Sequence, residues 1–296
     1  MGTTGTRLTV TAGKYGIELA GSFAGWLASA EGGQAFADVV QEPGAPGTIV
    51  GKHIGKPKYE DITLTFGTGM SKEFCEWIKA TFDLKPARKS GAIVAADINN
   101  KPVDRLKFQD GLITEIGFPT LDAASKDAAR MTVRLAPQRT QRATGGGAAP
   151  PNAKIQKKWL PSNFRLQIDG LDCTRVNRIE ALVVKQTASR ENALEAGQLE
   201  IPNLVFTLPE AQADDFRKWH EEFVINGNND GSQEKNGTLM FLAPDMTEVL
   251  FTLNFLRLGI FRLALEKSET GADSVRRLKA EMYCEEMKFS FAASAP

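Results

Sequence analysis

The 296-residue chain reads as a mainly β (α+β) protein: two tandem small β-barrel or sandwich domains, each with one flanking α-helix. Three observations predict this. Short apolar segments alternate with polar residues over most of the length, the period of half-buried strands. Two segments instead carry their apolar residues at helical spacing. The order of elements in the first half then returns in the second.

Tyr15, Ile17 and Leu19 alternate with Gly16, Glu18 and Ala20, which predicts the first strand. A Gly- and Ala-rich stretch follows through Ala37, and Gln41 to Pro57, with its prolines and glycines, predicts a loop or distorted hairpin. Ile62, Leu64 and Phe66 form the next alternating strand. Ser71 is placed to cap a helix on which Phe74, Trp77, Ile78 and Phe82 make one apolar stripe, with Pro86 beyond its end. Ile93 to Ala96 is a strand, Asn99 to Pro102 is turn chemistry, and Leu106, Phe108, Leu112, Ile113 and Ile116 continue the sheet. Met131, Val133 and Leu135 close the half.

The second half follows suit. Phe164, Leu166 and Ile168 match the first strand, and Ile179, Leu182 and Val184 predict a further one. Leu204, Phe206 and Leu208 alternate as Ile62, Leu64 and Phe66 do. Asp214 or Asp215 starts a helix with Phe216, Trp219, His220 and Phe223 on one face. The separations from Phe74 to Phe216, from Gly91 to Gly237 and from Phe108 to Phe255 differ by only a few positions. So slight a drift suits a duplication with small loop insertions. The expected boundaries are 1–140 for the first domain, 141–160 for a Gly/Pro-rich basic linker and 161–296 for the second. The linker carries Arg142, Lys154, Lys157 and Lys158 and no acidic residue, and its Trp159 predicts docking on a neighbouring surface.

Composition narrows the function. Apolar residues make up 42% of the chain and charged residues 24%, enough to build a core without staples. Thirty-six basic residues balance 36 acidic ones, so no global charge argues for nucleic acid or membrane binding, and little repulsion opposes self-association. Cys75, Cys173 and Cys284 are scattered, which predicts neither a disulfide framework nor a zinc site. Met1 to Thr11 does not read as a signal peptide, and no apolar run has the length of a membrane helix. No phosphate-binding loop, dinucleotide fingerprint or nucleophile elbow is present. Of the two histidines, His220 falls in the slot that Ile78 fills in the first helix and reads as a packed side chain; His53 sits in a Gly- and Lys-rich loop. Asp97, Asp104, Asp245 and Glu248 flank turns and read as turn acids. No catalytic residue, metal site or cofactor is expected.

The run Tyr59-Glu60-Asp61-Ile62-Thr63-Leu64-Thr65-Phe66-Gly67 precedes Glu73-Phe74-Cys75-Glu76-Trp77-Ile78; then come Arg88-Lys89-Ser90-Gly91 and Pro102-Val103-Asp104-Arg105-Leu106-Lys107-Phe108. In this order the segments resemble the tail-tube proteins of contractile phages and related injection systems, over most of residues 15–137 and more loosely over 164–290. The departure is the tandem copy, since the common tube protein has one such domain and forms hexameric rings. The resemblance implies a structural subunit whose sheets join around a lumen, three two-domain chains completing a pseudo-hexameric ring within a tail or injection particle assembled in the bacterial cytoplasm. Its partners would be itself and other tube, hub or spike, or sheath proteins. A tube-initiating or baseplate-hub ring, joining a trimeric spike to a hexameric tube, is the alternative; a ligand-binding or enzymatic β-barrel protein is a third reading. The resemblance also places ring-stacking contacts on Gln41 to Pro57, where Lys52, Lys56 and the adjacent Lys58 are basic; the counterpart, Ser189 to Ile201, carries Glu191, Glu195 and Glu200.

Overall fold

The computed structural model describes residues 13–46, 49–144, 150–151, 159–187, 197–266 and 276–291. The first half runs β1 (Lys14–Leu19), β2 (Ser22–Gly32), β3 (Ala35–Glu42), β4 (Gly51–Tyr59), β5 (Ile62–Phe66), α1 (Lys72–Phe82), β6 (Lys89–Ala96), β7 (Pro102–Phe118), β8 (Leu121–Asp122), β9 (Met131–Ala136) and β10 (Arg139–Thr144). The second runs β11 (Phe164–Ile168), β12 (Arg178–Ile179), β13 (Leu182–Gln186), β14 (Leu199–Glu200), β15 (Leu204–Pro209), α2 (Asp214–His220), β16 (Lys235–Leu242), β17 (Val249–Leu265) and β18 (Arg277–Phe291).

Six strands of the first half, in the order β7, β6, β1, β2, β5, β9 and back to β7, close into a barrel. Closure follows from the length of β7. One of its edges takes β6 as far as Gly111; the other takes β9 from Gly117 to Leu112 and then β10. The alternating residues fill the interior: Ile17, Leu19, Leu64, Ile113, Val133 and Leu135 are wholly buried. Each contributes about 1.5–3 kcal/mol by leaving water. At the corner after β2 the chain needs Gly32, with φ +88°, because a Cβ there would stand 2.0 Å from the Asp61 carbonyl oxygen.

Helix α1 packs as its stripe predicts. Ser71 Oγ accepts from the Phe74 N–H at 3.3 Å, capping the first turn. Phe74, Trp77, Ile78 and Phe82 are buried, and the Trp77 indole N–H donates to the Ala87 carbonyl at 2.7 Å. The second helix repeats the device: Trp219 donates to the Gln233 carbonyl at 3.2 Å. Its stripe then shifts, because α2 passes into a π-helical turn at Glu221–Ile225. Phe223 is buried, whereas His220, expected as a core residue, is only half-buried and Val224 is exposed.

The register makes the correspondence of the halves concrete. Leu135 pairs with Ile62 and Met282 with Leu204; Gly111 pairs with Lys89 and Leu258 with Lys235. Thus β1, β5, β6 and β7 recur as β11, β15, β16 and β17, and β9 with β10 recurs as the single long β18.

The second sheet does not close as the first does: its seven strands run β11-β16-β17-β18-β15-β12-β8, an open half-barrel. The difference lies where the first half places Phe23–Leu27 of β2 against β1. There the second half has a turn, in which Asp172 accepts from the Thr174 N–H at 2.9 Å and hydroxyl at 2.6 Å. Cys173 and Val176 of the loop that follows are buried, and among the described residues β11 is left as the edge strand of its sheet. The strand expected from Ile179, Leu182 and Val184 is split, with β12 staying in the second sheet and β13 joining the first.

Of the two forms expected for Gln41 to Pro57, a loop or a distorted hairpin, the structure shows paired strands with an irregularity. Strands β3 and β4 pair from Ala35↔Tyr59 to Glu42↔Gly51 as a two-stranded arm, with an irregularity between Ala37 and Val39. Strand β10 extends to Thr144, into the expected linker, and Trp159 is buried with its ring edge-on to Phe241 and Phe251.

Candidate assembly interface

The two halves meet by strand addition. Beyond Gly111, where β6 ends, the exposed edge of β7 is taken over by β13: Lys185 stands opposite Glu115, Val184 opposite Ile116, Val183 opposite Gly117 and Leu182 opposite Phe118. Antiparallel addition satisfies an edge that would otherwise present bare N–H and C=O groups. Leu182 and Val184 are buried, and the opposed charges of Lys185 and Glu115 favour this register over a slipped one. Next to it, β8 pairs with β12, Leu121 opposite Ile179, and Arg178 approaches Asp122 at 3.6 Å. Phe82 of α1 stacks on Phe289 of β18 with centroids 5.7 Å apart, and Phe118 lies 5.7 Å from Phe241. The halves therefore share one continuous apolar core.

β13 and β14 are the counterpart of the arm. Lys185 pairs with Glu200 as Phe36 pairs with Lys58, equivalent ladder positions in the two copies. The second arm is thus docked on its neighbour. The first stands as a separate two-stranded sheet with Phe36, Val39, Val40 and Ile54 exposed.

The residues expected at ring-stacking loops fall on these arms. Lys52, Lys56 and Lys58 are all exposed on β4. Lys58 is ion-paired with Asp38, and His53 Nδ1 lies 3.4 Å from a Glu42 carboxylate oxygen. Glu200 is on β14; Glu191 and Glu195, with Lys154, Lys157 and Lys158 of the linker, lie outside the described residues. The structure thus places the three lysines along one strand and sets Glu200 at the place in the second arm that Lys58 holds in the first.

The chemistry elsewhere is structural. Asp97 accepts from the N–H groups of Asn99 and Lys101, and Asp245 from those of Thr247 and Glu248. Burial pushes the Cys75 and Cys284 thiols up to about 11 and that of Cys173 to about 12, so they are poor nucleophiles at neutral pH. Among the described residues no group of three or more His, Cys, Asp or Glu could hold a metal ion, and no helix is long and apolar enough to cross a membrane. Sequence reasoning missed one ion pair. Glu18 and Arg105 meet at 2.5 and 2.8 Å, each about nine-tenths buried, linking β1 to β7 across β6. It also missed the docking edge, although the apolar alternation running on to Phe118 and Leu265 was its signal.

Residues 34–141 match the family model for the T4-like virus tail tube protein gp19. Over that span, somewhat more than a third of its length, the chain is similar to the tail-tube family. The matched span begins at the arm and ends in β10, so the arm and most of the barrel lie within it. No curated protein matches the chain by sequence. Among solved structures, the tube-terminating cap of the anti-feeding prophage is 20% identical with a TM-score of 0.42, over 49% of this chain and 100% of that one. A chain of the sheath–tube complex of an extracellular contractile injection system is 18% identical with a TM-score of 0.41, over 47% and 93%. Hcp1 from Flavobacterium johnsoniae is 18% identical with a TM-score of 0.29, over 46% and 99%. Likeness at this level says nothing of function. The matched unit is mostly strand, and its helix α1 is turned toward β18 of the second unit.

Proposed function

We propose that this chain is a structural subunit of a phage-tail-like tube in a contractile tail or injection system. Three copies would supply six units to a pseudo-hexameric ring around a lumen. The observation that carries the reading is the docking of the second arm on the first, tail-tube unit by strand addition, since that joins one unit to the next edge to edge. The two halves are read as duplicated tube units, the first over 1–140 and the second over 161–296. The chain would work as a rigid passive conduit rather than an enzyme, assembled in the bacterial cytoplasm and carried in the particle with other tube, hub and sheath proteins.

The unequal halves favour one variant of this reading. A closed barrel alternating with an open half-barrel gives a ring threefold symmetry in detail and sixfold symmetry in outline. Such a ring suits the junction between a trimeric spike or hub and a hexameric tube. Purified protein viewed by negative-stain electron microscopy, with its mass by light scattering, tests the reading. Rings of about three times the 32.2 kDa chain are expected. Monomers alone at high concentration, and with tube or hub proteins added, would overturn it.

A further inference from the structure

The docking of β13 has an unfilled counterpart at each end of the chain. Its acceptor, Glu115–Phe118 of β7, corresponds to Arg262–Leu265 in the second copy of that strand, β17. There β18 occupies one edge as far as Leu265, and β16 leaves the other edge after Leu258. Among the described residues no strand pairs with that second edge beyond Leu258. Phe261 and Leu265, in this last stretch of β17, are 41% and 54% exposed. The donor, Val183–Lys185, corresponds to Gln34–Phe36 at the start of the first arm. Gln34 turns its backbone to β4: its carbonyl accepts from the Glu60 N–H at 2.9 Å. Alternation then points the N–H and C=O of Ala35 away from β4, as the ladder requires of a joining strand.

We propose that the β3–β4 arm of one copy adds to the edge of β17 in the next copy of this chain, antiparallel, with Ala35 opposite Leu263 and Phe36 opposite Arg262. The occupant is a second copy because the chain already makes this contact once between its own halves. The contact is head-to-tail, so repetition closes a ring or continues as a filament. The apolar residues exposed on the arm and on Phe261 and Leu265 would be covered together. The inference rests on the ring reading above and gives it a specific interface.

Cysteine cross-linking tests it. In a non-hydrogen-bonded antiparallel pair the Cα atoms stand about 4.5 Å apart, within reach of a disulfide. The double variant Phe36→Cys/Arg262→Cys, incubated with oxidised glutathione, should give covalent dimers and trimers on a non-reducing gel. Lys185→Cys/Glu115→Cys, the same pair within one chain, should close without a gain in mass and shows that the geometry permits the bond. The single variants serve as blanks for the native thiols. As a second measure, Leu265→Glu should weaken self-association at least tenfold by sedimentation. If rings form but the 36/262 pair stays uncrosslinked while the 185/115 pair closes, the interface is wrong and the ring reading stands. If neither rings nor cross-links form, the ring reading fails with it.

Discussion

Phe118 and Leu265 occupy the same position in two copies of one strand, yet Phe118 is 2% exposed and Leu265 54% exposed. Phe118 is covered because a strand from the other half lies against its edge and four phenylalanines gather around it. Phe118→Ala should therefore cost about 3–5 kcal/mol, the usual loss for a buried ring. Leu265→Ala should change the stability of the isolated chain by less than about 0.5 kcal/mol. Denaturant unfolding of both variants at low protein concentration checks the contrast.

Lys185 lies between Glu115 on β7 and Glu200 on β14. Reversing it, Lys185→Glu, sets three like charges in a row and should destabilise by about 1 kcal/mol, in line with cross-strand pairs. Adding Glu115→Lys should restore part of the loss, measured as a double-mutant cycle in urea.

Lys52, Lys56 and Lys58 are exposed on the arm, so reversing all three should alter stability little. The expected effect is on assembly: fewer or shorter stacks of rings by electron microscopy. Stacking unchanged from the natural chain would remove these lysines from the ring-to-ring contact.

Burial pushes the three thiols up, to about 11 for Cys75 and Cys284 and about 12 for Cys173, against an ordinary value of 9.0. The folded chain thus holds thiol protons that the unfolded chain releases. Their contribution to stability is complete below pH 9 and is lost as pH rises through 9 toward 11–12. Chemical denaturation between pH 8 and 10.5 should show this decline. At pH 8 the native chain should react slowly with a thiol reagent and quickly once unfolded.

Trp159 seals the junction, packed edge-on against Phe241 and Phe251 at 5.4 and 5.1 Å. Trp159→Ala should cost about 3–5 kcal/mol, and Trp159→Phe much less, by the same unfolding measurement. Equal losses for both would place the indole outside the packing described.

The periodicity of Ile62, Leu64 and Phe66, and of Phe74, Trp77 and Ile78, was legible because each has one apolar face and a single core to face. β2 was hidden: its alternation is broken by a bulge opposite Ile17 and Glu18 and by Gly25 at φ +146°. For the arm the sequence leaves a loop and a distorted hairpin both open, because neither of its faces is buried and no alternation marks it. The place of His220 depended on where α2 changes to a π turn, a choice that packing makes rather than helical period. The open second sheet and the docked β13 are long-range outcomes. They follow from a turn at Asp172 and from the length of β7, and no local pattern states which edge a strand will join.

Units join edge to edge within the chain, and the proposed ring repeats that junction between chains. A cryo-electron microscopy reconstruction of the assembled protein would decide the matter. The expected map is a closed ring of three chains in which the β3–β4 arm of each lies along Arg262–Leu265 of the next. A ring whose arms point away from β17, or a chain that never assembles, would rule this arrangement out.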